Sequence, residues 1–117
     1  MRSLFMPQDR FSQIDLWRAA LAEFLAMAMF VFMGCGSVTA TGEFLVANAI
    51  NPLPPSVARV MPIATAFGIS IVVLAFAVGP ISGGHINPAV TLALLIQRRI
   101  SPRRAMLYWI VFYFMRL

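Results

Sequence analysis

The chain has 117 residues, of which 61% are hydrophobic and only 11% are charged, with a formal net charge of +5. A soluble domain carries about 25% charged residues, so this composition cannot cover a water-facing surface. It excludes an ordinary soluble enzyme, a disordered tail and a secreted disulfide scaffold, and leaves a small all-α membrane protein.

The positive charge is carried by arginine alone, against four acids: Asp9, Asp15, Glu23 and Glu43. A nucleic-acid binder would show a solvated basic face interleaved with aromatics. Here short arginine tracts flank apolar runs, so the expected partner is the lipid bilayer and not nucleic acid. Cys35 is the only cysteine, inside an apolar run, and reads as a small buried hydrophobe.

Residues 1–18 read as a cytoplasmic N-terminal segment, ending at Trp17 and Arg18 as an interfacial anchor. The first apolar run is 19–40, about 33 Å as helix and enough for a hydrocarbon core of about 30 Å. It starts too late and runs too long for a cleaved signal peptide. Residues 41–59, with Pro52, Pro54 and Pro55, are predicted to be a loop, and Asn51-Pro52-Leu53 within it a turn. The second apolar run, 60–78, reaches about 28 Å; Gly79-Pro80 is expected to end it, and Pro62 to fall in its first turn.

Two spans return the chain to its starting side. Arg2, Arg10, Arg18, Arg98, Arg99, Arg103 and Arg104 then share one side, with Arg59 alone on the other. The positive-inside rule puts that richer side, and the N-terminus, in the cytoplasm. The 98–104 cluster is read as a topology signal, with lipid head-group binding second.

After the second span comes Ser82-Gly83-Gly84-His85-Ile86-Asn87-Pro88-Ala89-Val90-Thr91. The helix expected over 88–97 has an apolar part, 88–96, of only about 14 Å, half a bilayer. It is too apolar for a wet loop and too short to cross, which predicts a re-entrant half-helix. Asn87 is a favoured N-cap and Pro88 a favoured first residue; Gln97 with Arg98 and Arg99 should end it. Irregular backbone at membrane depth is tolerated only when packed in protein or lining a wet cavity. The glycine-rich approach would therefore offer carbonyl oxygens to a file of water. The helix N-terminus would oppose cations near Asn87, whose amide could donate to a passing oxygen.

Ser82 to Thr91 resembles the first Asn-Pro-Ala box of the aquaporin (major intrinsic protein) family. Ala22-Glu23-Phe24 and Ala66-Phe67-Gly68 also look like family signatures, and the likeness covers residues 16–111. The resemblance implies half of an inverted-repeat bundle over 19–117: two full spans, one re-entrant half-helix and one truncated third span over 102–117. It implies a passive channel for water or small neutral solutes, with no cofactor, no metal and no covalent chemistry. Asn87, Pro88 and Ala89 would be the pore motif, and Gly83, Gly84 and His85 would offer backbone carbonyls to the solute. Phe67, fifteen residues before Ser82, would be the second-span member of the aromatic constriction. Glu23 would be the buried acid that brances the re-entrant loop through hydrogen bonds; structural bracing is preferred over proton coupling. His85 otherwise reads as a packing residue and not a metal ligand.

Ser101-Pro102 should open a third helix, yet the apolar run 105–115 reaches only about 16 Å. After Tyr108-Trp109-Ile110-Val111 the sequence departs from the family pattern, and no second Asn-Pro-Ala box or constriction arginine is present. The reading at this point is a truncated gene model, an unspliced end or a fragment. The alternative function is a non-conducting product that associates with full-length paralogues; a homo-oligomer is the other expected assembly. A proton-coupled exporter of the small multidrug-resistance type is set aside, because that class needs four full spans. Ala22/Ala26, Gly36/Ala40 and Ala64/Gly68 are small-residue pairs expected to permit close helix approach. The location expected is a plasma membrane or an endomembrane, crossed several times.

Overall fold

The computed structural model describes residues 13–48 and 57–115. Four helices follow in order: α1 (Gln13–Asn48), α2 (Val57–Ser82), α3 (Pro88–Ile96) and α4 (Pro102–Phe114). No strand occurs among the described residues. Two stretches are long and apolar enough to cross a bilayer, Asp15–Gly42 with 28 residues and Arg59–Ser82 with 24. At 1.5 Å per residue they reach about 42 and 36 Å, against a hydrocarbon core of about 30 Å.

Hydroxyl residues inside these apolar helices do not strand a polar group. Ser37 Oγ donates to the Gly34 carbonyl at 2.6 Å and Thr41 Oγ1 to that of Ser37 at 2.6 Å. Ser70 Oγ likewise returns to the Ala66 carbonyl. Each such bond satisfies the hydroxyl within its own helix, as an apolar surrounding requires.

Four boundaries differ from the sequence reading, the first being the start of α1, which opens at Gln13 and not at residue 19. The loop expected over 41–59 is helical at 41–48 and again from Val57. No proline lies in 41–48, and Gly42 costs a helix only about 1 kcal/mol. Pro52, Pro54 and Pro55, with the expected turn at 51–53, lie outside the described residues, as do residues 1–12, 116 and 117. Next, Pro62 is interior to α2, because the helix opens at Val57. Last, α2 runs through Gly79-Pro80 to Ser82. Pro80 deletes one amide, but the ladder resumes when Gly83 N donates to the Gly79 carbonyl at 2.8 Å.

α1 and α2 pack along each other. The Phe67 ring of α2 lies over Gly34 of α1, where an added Cβ would stand 2.2 Å from its Cε1. Phe30 meets the same ring edge-on at 5.5 Å. The small-residue pairs give the contact only in part. Ala26 is buried, but an added Cβ at Gly36 or Gly68 would meet nothing within 4 Å. Gly34, outside all three pairs, carries the close approach. α4 packs across the start of α1, where Ala19 and Ala20 meet Tyr108 and Phe112.

The two short helices have well-formed ends. Asn87 caps α3 from extended backbone, and its Oδ1 accepts from Ala89 N at 2.8 Å. At the other end Arg98 takes a left-handed φ of 57°. Arg98 N donates to Leu95 O and Arg99 N to Leu94 O, both at 2.9 Å, which closes a Schellman motif. Ser101 caps α4 by accepting from Arg104 N at 3.3 Å, with Pro102 next. Trp109 Nε1 ties α4 to α3 by donating to the Pro88 carbonyl at 3.2 Å.

Candidate functional site

The segment between α2 and α3, residues 83–87, has backbone that only particular residues tolerate. Gly83 and Gly84 take φ of +90° and +63°, and Ile86 takes +46°. Gly84 also approaches α2 so closely that an added Cβ would stand 2.9 Å from the Ala75 carbonyl oxygen. A side chain there meets both strain and backbone, so glycine is required.

Glu23 on α1 fixes this segment from one side. It is wholly buried. Its Oε1 accepts from Ser82 Oγ at 2.7 Å and from His85 N at 2.8 Å, and its Oε2 accepts from Ile86 N at 2.6 Å. One carboxylate thus satisfies two amides that have no helix or strand to pair with. Charge-assisted bonds of this kind are about twice as strong as neutral ones. Ser82 Oγ additionally accepts from Gly84 N at 3.2 Å.

α4 fixes the segment from the other side. The Ser82 carbonyl accepts from Tyr108 Oη at 2.7 Å and from the Arg104 guanidinium, whose Nε also donates to Tyr108 Oη at 3.0 Å. His85 is buried; its Nδ1 lies 2.9 Å from Thr91 Oγ1, and its ring stands edge-on to Tyr108 at 5.0 Å. Thr91 Oγ1 donates to the Asn87 carbonyl at 3.2 Å, so the first turn of α3 is tied into the same network.

Of the residues singled out from sequence, Glu23, Gly83, Gly84, His85, Asn87, Pro88 and Ala89 fall together at this segment. Asn87, Pro88 and Ala89 are exposed. With Oδ1 occupied by the cap, the Asn87 amide nitrogen faces outward only as a donor. Phe67 lies apart, fifteen residues earlier on α2, about 22 Å along the helix axis, and is half-buried against α1. Among the described residues no three His, Cys, Asp or Glu side chains gather to hold a metal.

Sequence reasoning missed five members of the network: Ser82, Thr91, Arg104, Tyr108 and Trp109. Arg104 was grouped with the exposed Arg98, Arg99 and Arg103, yet it is buried. A local signal existed. Arg104 and Tyr108 are four apart and share one helix face with Ala105 and Phe112, which marks that face as the inner one.

Comparison with known proteins covers this whole arrangement. The family model described as major intrinsic protein matches residues 10–113. Aquaporin-5 of Mus musculus is 44% identical over 95 residues, which is 81% of this chain and 31% of that protein. Aquaporin-5 of Homo sapiens is 46% identical over 91 residues, 78% of this chain and 30% of the relative. Aquaporin-1 of Sus scrofa is 44% identical over 100 residues, 86% and 36% respectively. The chain therefore spans about a third of the length of the curated relatives it matches. These relatives are named as aquaporins and not as enzymes. Since the match takes in α1 and α2, the glycine-bearing segment, α3 and α4 alike, the chain belongs to the major intrinsic protein family and is an integral membrane protein.

Proposed function

We propose that this chain supplies the N-terminal half of a passive transmembrane pathway for water or small neutral solutes. One observation carries the reading: a polar, glycine-bearing backbone is pinned between Glu23 and the Arg104–Tyr108 pair and ends at the exposed Asn87. In this reading Gly83, Gly84 and His85 present carbonyl oxygens, which accept from a solute in file. Asn87 donates to it, because its own oxygen is held by Ala89 N. Pro88 and Ala89 complete the turn at which α3 begins, and the partial positive charge of that helix start disfavours cations. Phe67 narrows the path at a separate level, about 22 Å along α2 from the Ser82 end. α3 dips into the bilayer and returns, and the N-terminus lies in the cytoplasm with seven of the eight arginines that flank the spans. The driving force is an osmotic or concentration gradient, with no covalent step.

The test joins residues 13–115 to the remaining two thirds of aquaporin-1 and measures osmotic swelling of proteoliposomes. Swelling well above that of protein-free vesicles is expected, and Asn87→Asp is expected to lower it. A folded, inserted chimera that swells no faster than empty vesicles would sink the proposal.

A second reading is association with full-length relatives, or with further copies, without conduction. It draws on the apolar side chains of α2 that nothing among the described residues covers, among them Val72, Val73 and Phe76. Co-purification with a full-length relative, together with no swelling by the chain alone, supports it.

A further inference from the structure

We propose that Arg104 is the positioning residue of the segment 82–86, acting as the cationic counterpart of Glu23 across Ser82. Both charged side chains are buried, Glu23 at 0% exposure and Arg104 at 6%. They meet on one residue: the Ser82 hydroxyl donates to the carboxylate at 2.7 Å, and the Ser82 carbonyl accepts from the guanidinium. A charge buried without an opposite charge and without hydrogen bonds is strongly disfavoured. Here each ion has its hydrogen bonds, and the opposite ion lies one residue away.

The direction of each bond fits the backbone it holds. Ser82 ends α2, where the aligned peptide dipoles leave partial negative charge, and a cation is the matching ion. His85 and Ile86 present amide donors, and an anion is the matching ion there. The guanidinium also offers two donors in one fixed plane, one spent on Ser82 O and one on Tyr108 Oη. An ammonium group is a compact charge on a flexible stem without that fixed fork, so its donors are less pre-organised toward the two oxygens. Around Gly83 the same groups form a wall: an added Cβ would stand 3.3 Å from His85 Nε2 and 3.6 Å from Arg104 Nη2. The neighbouring Arg98, Arg99 and Arg103 are exposed and take no part. The bearing of Arg104 on permeation rests on the function proposed above. The measurement below reads the segment itself, so it can fail while that function stands.

The experiment is amide hydrogen exchange on the full 117-residue chain in detergent micelles. Arg104→Met is expected to speed exchange at 82–86 by about tenfold while 25–40 of α1 keeps its rate, which is local release without general unfolding. Arg104→Lys should fall between wild type and Arg104→Met, because the charge is kept and the fork is lost. The double variant Glu23→Gln/Arg104→Gln should exchange no faster at 82–86 than Glu23→Gln alone, since both changes release one segment. If Arg104→Met does not fold, Arg104→Lys and Tyr108→Phe still carry the test, each with about a threefold rise confined to 82–86. Unchanged exchange at 82–86, or an equal rise along α1, overturns the proposal.

Discussion

At Glu23, a single carboxylate does the work that a strand or helix partner would do elsewhere. The amides of His85 and Ile86 belong to no regular element, and each bonds to one oxygen of that group. Glu23→Gln keeps the shape but replaces one acceptor oxygen with a donor nitrogen, which then faces a donor. A loss of about 3 kcal/mol is expected, the scale of a buried charged group deprived of its bonds. Chemical unfolding in mixed micelles, followed by circular dichroism, measures it; a loss near zero would show that the three bonds contribute nothing net. The acid itself was legible in the sequence, because an ionisable residue within an apolar run demands a partner. The family resemblance named the re-entrant loop as what it braces, but the individual partners Ser82, His85 and Ile86 lie 59 to 63 positions away and nothing in local pattern names them.

Between elements, the closest contact is that of Phe67 with Gly34, and it sets the separation of α1 and α2 there. Gly34→Ala pushes a methyl into the ring and is expected to cost about 2 kcal/mol, as overpacking does. Phe67→Ala should also cost about 2 kcal/mol, since the ring is half-buried. The two changes together should cost clearly less than the sum, because the smaller side chain vacates the space that the new methyl needs. Thermal melts of the four proteins close this cycle, and strict additivity would deny the contact. Apolar runs of membrane-crossing length made both long helices legible, and the Asn87-Pro88 and Ser101-Pro102 pairs marked the starts of α3 and α4. The outer ends of α1 and α2 were not legible, because apolar content falls away there while the backbone stays helical. Gly34 was invisible for a different reason. A glycine paired with a ring on another helix has no spacing signature of its own, whereas small-residue pairs on one helix do.

For the whole molecule, the arginines make a prediction about sidedness. Seven of those flanking the two spans fall on one side and Arg59 on the other. A tag placed before Gln13 should therefore stay protected from external protease in intact cells, while one inserted within 51–55 should be cleaved. The reverse pattern would overturn the orientation proposed here. Composition alone carried the reading this far, since 61% hydrophobic content in a chain of 117 residues excludes a water-soluble surface. What composition could not carry was which basic residues are exposed and which are buried; the shared face of Arg104 and Tyr108 hints at that division, Arg103 outside and Arg104 inside, and the packing of α4 against α1 produces it.

The clamp on Ser82 also has an order in time. One jaw, Glu23, is translated 59 residues before it, but the other arrives later: Arg104 is 22 residues downstream and Tyr108 is 26. A ribosome adding about 5–20 residues per second needs roughly one to five seconds to cover that distance. Until then the Ser82 carbonyl has no guanidinium to bond, and that grip closes only once α4 has been made.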